Sequence, residues 1–164
     1  MDIQKYLARF NASSYKEVSL LNLEKLQSLH LQHIPFENLD VIRKVPIYLN
    51  LETIYTKIVT NNRGGYCYEL NGLFHSLSEV LAYNAHLVSA TVVRTTGEWA
   101  KPDTHAAILG YLDQPYLVDV GFGAATHRLP VPLNEEEKTD AAATYSIKEY
   151  KGQLFDLTRR SKSG

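Results

Sequence analysis

The apolar residues change period near Asn84, and that change limits the possible folds more than any other feature of the chain. Before it, Leu20, Leu21, Leu23, Leu26, Leu29 and Leu31 crowd residues 19–34 at helical spacing. They predict a helix with a broad apolar face, closed by Pro35. Asn50 stands where it would cap a short helix over residues 51–60, ended by the polar run Asn61-Asn62-Arg63-Gly64-Gly65. A longer helix is predicted over residues 67–83, with Leu70, Leu73, Phe74, Leu77, Val80 and Leu81 on its apolar side and Asn84 as its stop. Beyond it, residues 86–94, 105–112 and 115–120 are short and rich in β-branched or other apolar side chains, as strands are. Asp113-Gln114 reads as a tight turn between the last two, and residues 144–150 and 153–157 as a hairpin around Lys151-Gly152. Residues 135–138 read as a solvated loop. Helices followed by strands predict an α+β protein. Its expected parts are a helical subdomain over residues 1–84, which carries the cysteine, and an antiparallel sheet or small barrel over residues 85–164.

The 164 residues, 45% apolar and 21% charged, suffice for one such core. Lys and Arg number 17 against 18 Asp and Glu, so there is no electrostatic footprint for nucleic acid or an anionic membrane. No apolar run approaches the roughly 18 to 20 residues of a membrane span. Residues 1–10 mix charged and apolar types, unlike a signal peptide. A single cysteine forms no internal disulfide and no cysteine-rich zinc site, so the expected setting is a reducing cytoplasm.

That cysteine, Cys67, lies in "RGGYCYELNGLF" (residues 63–74). A lone thiol is often a small buried hydrophobe. Here two nearby glycines permit a sharp backbone turn, a helix is predicted to start at the cysteine, and Arg63 is close in sequence. A helix N-terminus and a cation both favour a thiolate. A nucleophilic cysteine also needs a base and a group to orient that base.

Six histidines are candidates for the base. His30 and His33 sit near a helix end, where a positive charge suits the dipole, but no third ligand accompanies them and no metal is expected. His75 is eight residues along the helix from Cys67, about 12 Å away along the axis. His127 follows a glycine loop and reads as a surface residue. His105 opens the apolar strand "THAAILGYL", and Asp119 interrupts the apolar strand "YLVDVGFG". A hairpin through Asp113-Gln114 would make those strands neighbours, so that Asp119 orients one nitrogen of His105 and the other faces Cys67. The register is left open by the sequence.

With these residues in view, the chain resembles the arylamine N-acetyltransferases. Their Arg-Gly-Gly-x-Cys-x-Glu-x-Asn motif is matched by Arg63, Gly64, Gly65, Cys67, Glu69 and Asn71. "HIPFENLD" (residues 33–40) resembles their Pro-Phe-Glu-Asn-Leu segment, and Thr104-His105 and "VDVGFG" (residues 118–123) resemble the pieces that carry the family histidine and aspartate. The resemblance implies Cys67, His105 and Asp119 as a cysteine-protease-like triad and acetyl-CoA as donor in a ping-pong reaction. Small aromatic amines or hydrazines are the implied acceptors. It implies cofactor contacts at Gly121, Phe122 and Gly123, substrate contacts at Phe36 and Phe122, and structural support from Glu37, Arg63, Glu69 and Asn71. The family fold has an N-terminal helical bundle, a β-barrel-like domain and a C-terminal α/β lid, the last expected to be largely absent from a chain of this length. A weakly active or non-catalytic remnant that binds CoA or aromatic ligands, and a transglutaminase-like cysteine hydrolase, are the competing readings.

Overall fold

The computed structural model describes residues 1–162. Five α-helices fill its first half: α1 (Ile3–Arg9), α2 (Leu20–His33), α3 (Leu39–Ile42), α4 (Leu51–Tyr55) and α5 (Cys67–Val80). Seven strands follow: β1 (Asn84–Ala90), β2 (His105–Tyr111), β3 (Pro115–Val118), β4 (Val131–Pro132), β5 (Lys138–Thr139), β6 (Ala143–Lys151) and β7 (Leu154–Ser161). Asn50 caps α4 as expected, its side chain accepting from the Thr53 N–H at 2.9 Å, and Ser19 does the same for α2 through Asn22.

Several boundaries differ from the sequence reading: β1 stops at Ala90, β7 runs on to Ser161, β5 begins within the expected loop, and three others have clear local causes. The helix expected over 51–60 leaves the α form after Tyr55 and finishes as a π-helical turn, Thr56–Thr60, closed by the Asn61 N–H on the Thr56 carbonyl. Helix α5 ends at Val80 because Ala82 takes a left-handed conformation (φ 66°). The amides of Ala82 and Tyr83 then bond back to the carbonyls of Glu79 and Ser78, a Schellman closure made without glycine, and Asn84 opens β1. Strand β3 stops at Val118, so Asp119 stands just beyond the strand.

The strands do not close into a barrel. They form two antiparallel sheets, β1-β2-β3-β4 and β5-β6-β7, and among the described residues no ladder joins them. Strands β4 and β5 are two residues each, too short to carry a continuous ladder round a cylinder. The β2–β3 hairpin pairs Ile108 with Val118, which brings Asp119 level with the start of β2.

One apolar core runs from Tyr6, Leu7 and Phe10 through Leu26, Leu70, Phe74 and Leu77 to Ile108, Val118 and Val120. Helix α5 lies at its centre against β1 and β2. Leu70, Leu73, Phe74 and Leu77 are fully buried, each contributing about 2 kcal/mol of transfer free energy, which anchors the helix whose first residue is Cys67. Val80, expected on that face, is exposed. A smaller cluster of Val131, Ala143, Tyr145 and Ile147 fills the space between the two sheets.

The buried stripe of α2 is Leu23, Leu26, Gln27 and His30, while Leu21 is 64% exposed. Two polar residues therefore occupy positions that a pure leucine face would fill. His30 is no dipole-paired cation: burial, and secondarily the Arg9 charge, push it down to about 3, so it is neutral. It is ringed by Tyr6, Phe10 and Phe74, and its Nε2 meets the Tyr6 hydroxyl at 2.9 Å. His127 is likewise no surface residue, being 2% exposed against Gln27 and Tyr145. No helix is long and apolar enough to cross a membrane among the described residues.

Candidate active site

Cys67 is the first residue of α5, where backbone N–H groups lack intrahelical acceptors. The loop ahead of it is held by backbone pairing with residues 35–37. The Gly65 N–H donates to the Pro35 carbonyl at 3.3 Å, and the Glu37 N–H donates to the Gly65 carbonyl at 2.9 Å. A Cβ on Gly64 would lie 2.0 Å from the Pro35 carbonyl oxygen, so only glycine permits this approach. The pairing fixes Phe36 beside the cysteine loop.

Under the loop lies a charged network. Arg63 donates to Glu37 at 2.7 Å and to Asp40 at 2.9 Å, and Lys57 bridges Asp40 at 2.9 Å and Glu69 at 2.8 Å. The Arg63 and Lys57 hydrogen bonds hold the Asp40 carboxyl below the usual carboxylate range, despite burial. Burial alone would lower Lys57, but its bonds to Glu69 and Asp40 raise it. Glu69 reaches back to the Tyr66 N–H at 3.1 Å, capping α5 directly before the thiol. Glu37, Arg63 and Glu69 were expected in support here. Asp40 and Lys57 were not: Asp40 lay within the quoted "HIPFENLD", whereas no spacing marks Lys57, which the π-helical turn carries inward.

His105 and Asp119 meet at the thiol. The imidazole Nε2 is 2.6 Å from Asp119 Oδ2, both side chains being 7% exposed. The Cys67 sulfur lies near enough to the ring to raise its proton affinity. Nε2 is engaged by the carboxylate, which leaves Nδ1 for the sulfur. The Sγ also lies 3.9 Å from the Thr104 carbonyl oxygen. Burial would depress His105, but the bonds and charges of Asp119 and Cys67 outweigh it and push it up to about 9. The ring is therefore an imidazolium at neutral pH. Burial likewise pushes the Asp119 carboxyl up, and the His105 bond and charge, with help from the Asn71 bond, reverse that and hold it below its ordinary value.

Asn71, one turn after Cys67 on α5, locks the carboxylate in place. Its Nδ2 donates to Asp119 Oδ1 at 2.9 Å and to the Ala106 carbonyl at 2.6 Å, while its Oδ1 accepts from the Val120 N–H at 2.9 Å. The Gly121 N–H adds a bond to Asp119 Oδ1 at 2.7 Å. Gly121 faces inward: a Cβ there would sit 2.8 Å from the Cys67 Cα and 2.9 Å from Asn71 Nδ2. Phe122 faces outward at 39% exposure, its ring edge-to-face with His105 at 4.9 Å. Gly123 (φ 75°) turns the loop against the Phe36 ring, itself 44% exposed. Two accessible aromatics thus flank a buried thiol–imidazole–carboxylate group.

The remaining histidines lie apart. His75 bonds the Ala85 carbonyl and pairs with Glu79, and His33 bonds the Leu29 carbonyl and Asn11. Among the described residues no three His, Cys, Asp or Glu side chains are grouped to hold a metal ion.

Fold and site together define an α+β protein that gathers a thiol, an imidazolium and a fixed carboxylate at a helix N-terminus. The sequence model of the family described as N-acetyltransferase matches residues 19–164. The arylamine N-acetyltransferase of Escherichia coli (strain K12) is 36% identical over 135 residues, a match covering 80% of this chain and 47% of that one. Among solved structures, an arylamine N-acetyltransferase from Bacillus cereus, described as having a Cys-His-Glu catalytic triad, superposes with a TM-score of 0.91 at 31% identity. That match covers 99% of this chain and 66% of the other. The Mycobacterium marinum arylamine N-acetyltransferase in complex with CoA gives 0.87 at 33% identity, covering 96% and 60%. The chain belongs to the arylamine N-acetyltransferase family, whose members are acyltransferases, and spans about half the length of the curated relatives it matches.

Proposed function

We propose that this chain forms the acetyl-accepting core of an acetyl-CoA-dependent arylamine N-acetyltransferase, with Cys67 as nucleophile, His105 as proton carrier and Asp119 as the group that orients it. The observation that carries this reading is the 2.6 Å bond between the His105 imidazole and the Asp119 carboxylate, beside Cys67 at the start of α5. In the first half-reaction the Cys67 proton resides on His105 as the imidazolium, and the resulting thiolate attacks the thioester carbonyl of acetyl-CoA. A sulfur–carbon bond forms, the bond to the CoA sulfur breaks, and the imidazolium supplies the proton that CoA leaves with. One thioester replaces another, so the acetyl group is stored at little cost in free energy. In the second half-reaction the amine nitrogen attacks the acetyl-cysteine carbonyl, His105 accepts the amine proton, and the Cys67 thiolate is released. N–H groups at the start of α5 stabilise the tetrahedral oxyanion. Phe36, beside the cysteine loop, and Phe122, against His105, offer accessible ring surface that suits an aromatic acceptor. The CoA complex of the Mycobacterium marinum relative supports CoA as the donor's carrier.

The test is intact-protein mass spectrometry after incubation with acetyl-CoA. One acetyl adduct is expected on the parent protein, none on Cys67→Ala, and an arylamine added afterwards should discharge it. An adduct of equal size on Cys67→Ala would overturn the assignment.

A further inference from the structure

Asn71 and Asp119 pin one end of the loop that carries Phe122. The other end has a separate fastening that plays no part in the proton transfers above. Gln27, fully buried on α2, donates through Nε2 to the His127 backbone carbonyl at 2.8 Å, across 100 residues of sequence. The same amide nitrogen is 3.1 Å from His127 Nδ1, and Nδ1 is 2.8 Å from the Leu129 carbonyl. A carbonyl only accepts, so Nδ1 carries the ring proton and donates to Leu129, and the Gln27 contact with the ring is packing. The His127 Nε2 is buried with no hydrogen-bond partner among the described residues, which suits a neutral ring. Burial lowers its proton affinity, more than Asp119, the Leu129 bond and Asp140 raise it, and His105 lowers it further. The neighbouring Arg128 N–H donates to Asp140 Oδ2 at 3.0 Å.

Between these two fastenings the loop is tied chiefly to itself: the Thr126 N–H and hydroxyl both bond the Gly123 carbonyl, at 3.2 and 2.8 Å. Phe122 and Ala124 lie exposed in that span. A short span held at both ends loses less conformational freedom when a ligand settles on it than a span held at one end.

We infer that Gln27 and His127 are positioning residues for the acceptor: they clamp the distal end of the 119–128 loop and so hold the Phe122 ring in place for an aromatic amine. The inference rests on the acetyltransferase reading for its kinetic consequence, but the clamp itself has a physical signature independent of turnover. His105 is oriented by Asp119 and Asn71 at the proximal end, so loss of the clamp acts on the acceptor half-reaction first.

The experiment is Gln27→Met, which conserves volume and removes the donor, with His127→Leu as second variant because it keeps the backbone carbonyl. Rates of Cys67 acetylation and of arylamine discharge are measured separately, alongside hydrogen exchange of residues 120–128. In Gln27→Met the arylamine KM is expected to rise about tenfold, as for loss of one buried anchoring hydrogen bond. Cys67 acetylation should slow by less than about twofold, and exchange should quicken in 120–128 while α5 stays protected. His127→Leu should give a smaller change in KM. Equal slowing of both half-reactions would overturn the inference, since a purely structural defect acts on both. If the parent protein is never acetylated, the acetyltransferase reading fails and exchange alone decides: faster exchange confined to 120–128 sustains the clamp, and unchanged exchange refutes it.

Discussion

Acidification should destabilise this fold through His30, by an amount that follows from its burial. In the unfolded chain a histidine titrates near 6.5. In the folded protein, burial among Tyr6, Phe10 and Phe74 holds His30 at about 3. Between those values the unfolded chain binds a proton that the native state refuses, so stability present above pH 6.5 is lost as the pH falls. At pH 7 this linkage is nearly silent; at pH 5 the unfolded ring is almost fully protonated, and the loss is about 2 kcal/mol. That figure depends little on the folded value, because any value well below 5 gives the same loss. The clean comparison is with Tyr6→Phe/His30→Leu, which removes the ring and its 2.9 Å hydroxyl partner together and leaves no orphaned polar group. Urea unfolding of both proteins at pH 7 and pH 5 gives the difference in stability at each pH, with other titrating groups cancelling. The parent's advantage should shrink by about 2 kcal/mol on going to pH 5. A difference independent of pH would show that His30 is protonated in the native state and would refute the argument.

Lys57→Met should destabilise by about 3 kcal/mol, measured by chemical denaturation, because it strips the buried Glu69 of its cation and leaves Glu37 and Asp40 with Arg63 alone. Gly121→Ala must push the loop off the start of α5. A loss of about 1–3 kcal/mol is expected, with Cys67 acetylation slowed about tenfold or more, and wild-type rates would contradict the close approach. The His105 C2 proton should titrate by NMR near pH 9 rather than 6.5. Since that value is raised on folding, its share of stability is complete below pH 6.5 and disappears as the pH rises through 9. A midpoint near 6.5 would mean that Asp119 and Cys67 do not hold the proton.

Much of the local structure was legible in the chain because it is governed by neighbours in sequence. Asn50 caps its helix through its own side chain, the leucine and phenylalanine spacing of α5 reports a helical period, and the turn signal at Asp113-Gln114 falls in the three-residue loop that sets β2 against β3. The residues of the thiol site could be named because each is a polar exception to an apolar pattern, and because the Arg-Gly-Gly-x-Cys stretch resembles a known motif. The end of α5 was missed since Ala82 carries no glycine signal, and the choice between sheet and barrel stayed open because strand patterning reports faces, not how two short strands meet.

Sequence alone thus determined the order of helices and strands, the helix that begins at the thiol, and the chemical types available to it. Tertiary structure alone decided which polar groups would be paired and which charged. His30, His105 and His127 are the same side chain with three different proton affinities. One faces aromatic rings, one a carboxylate and a thiol, and one a glutamine on a distant helix. Burial penalises charge in all three places, and only at His105 does a partner brought from elsewhere in the chain reverse it.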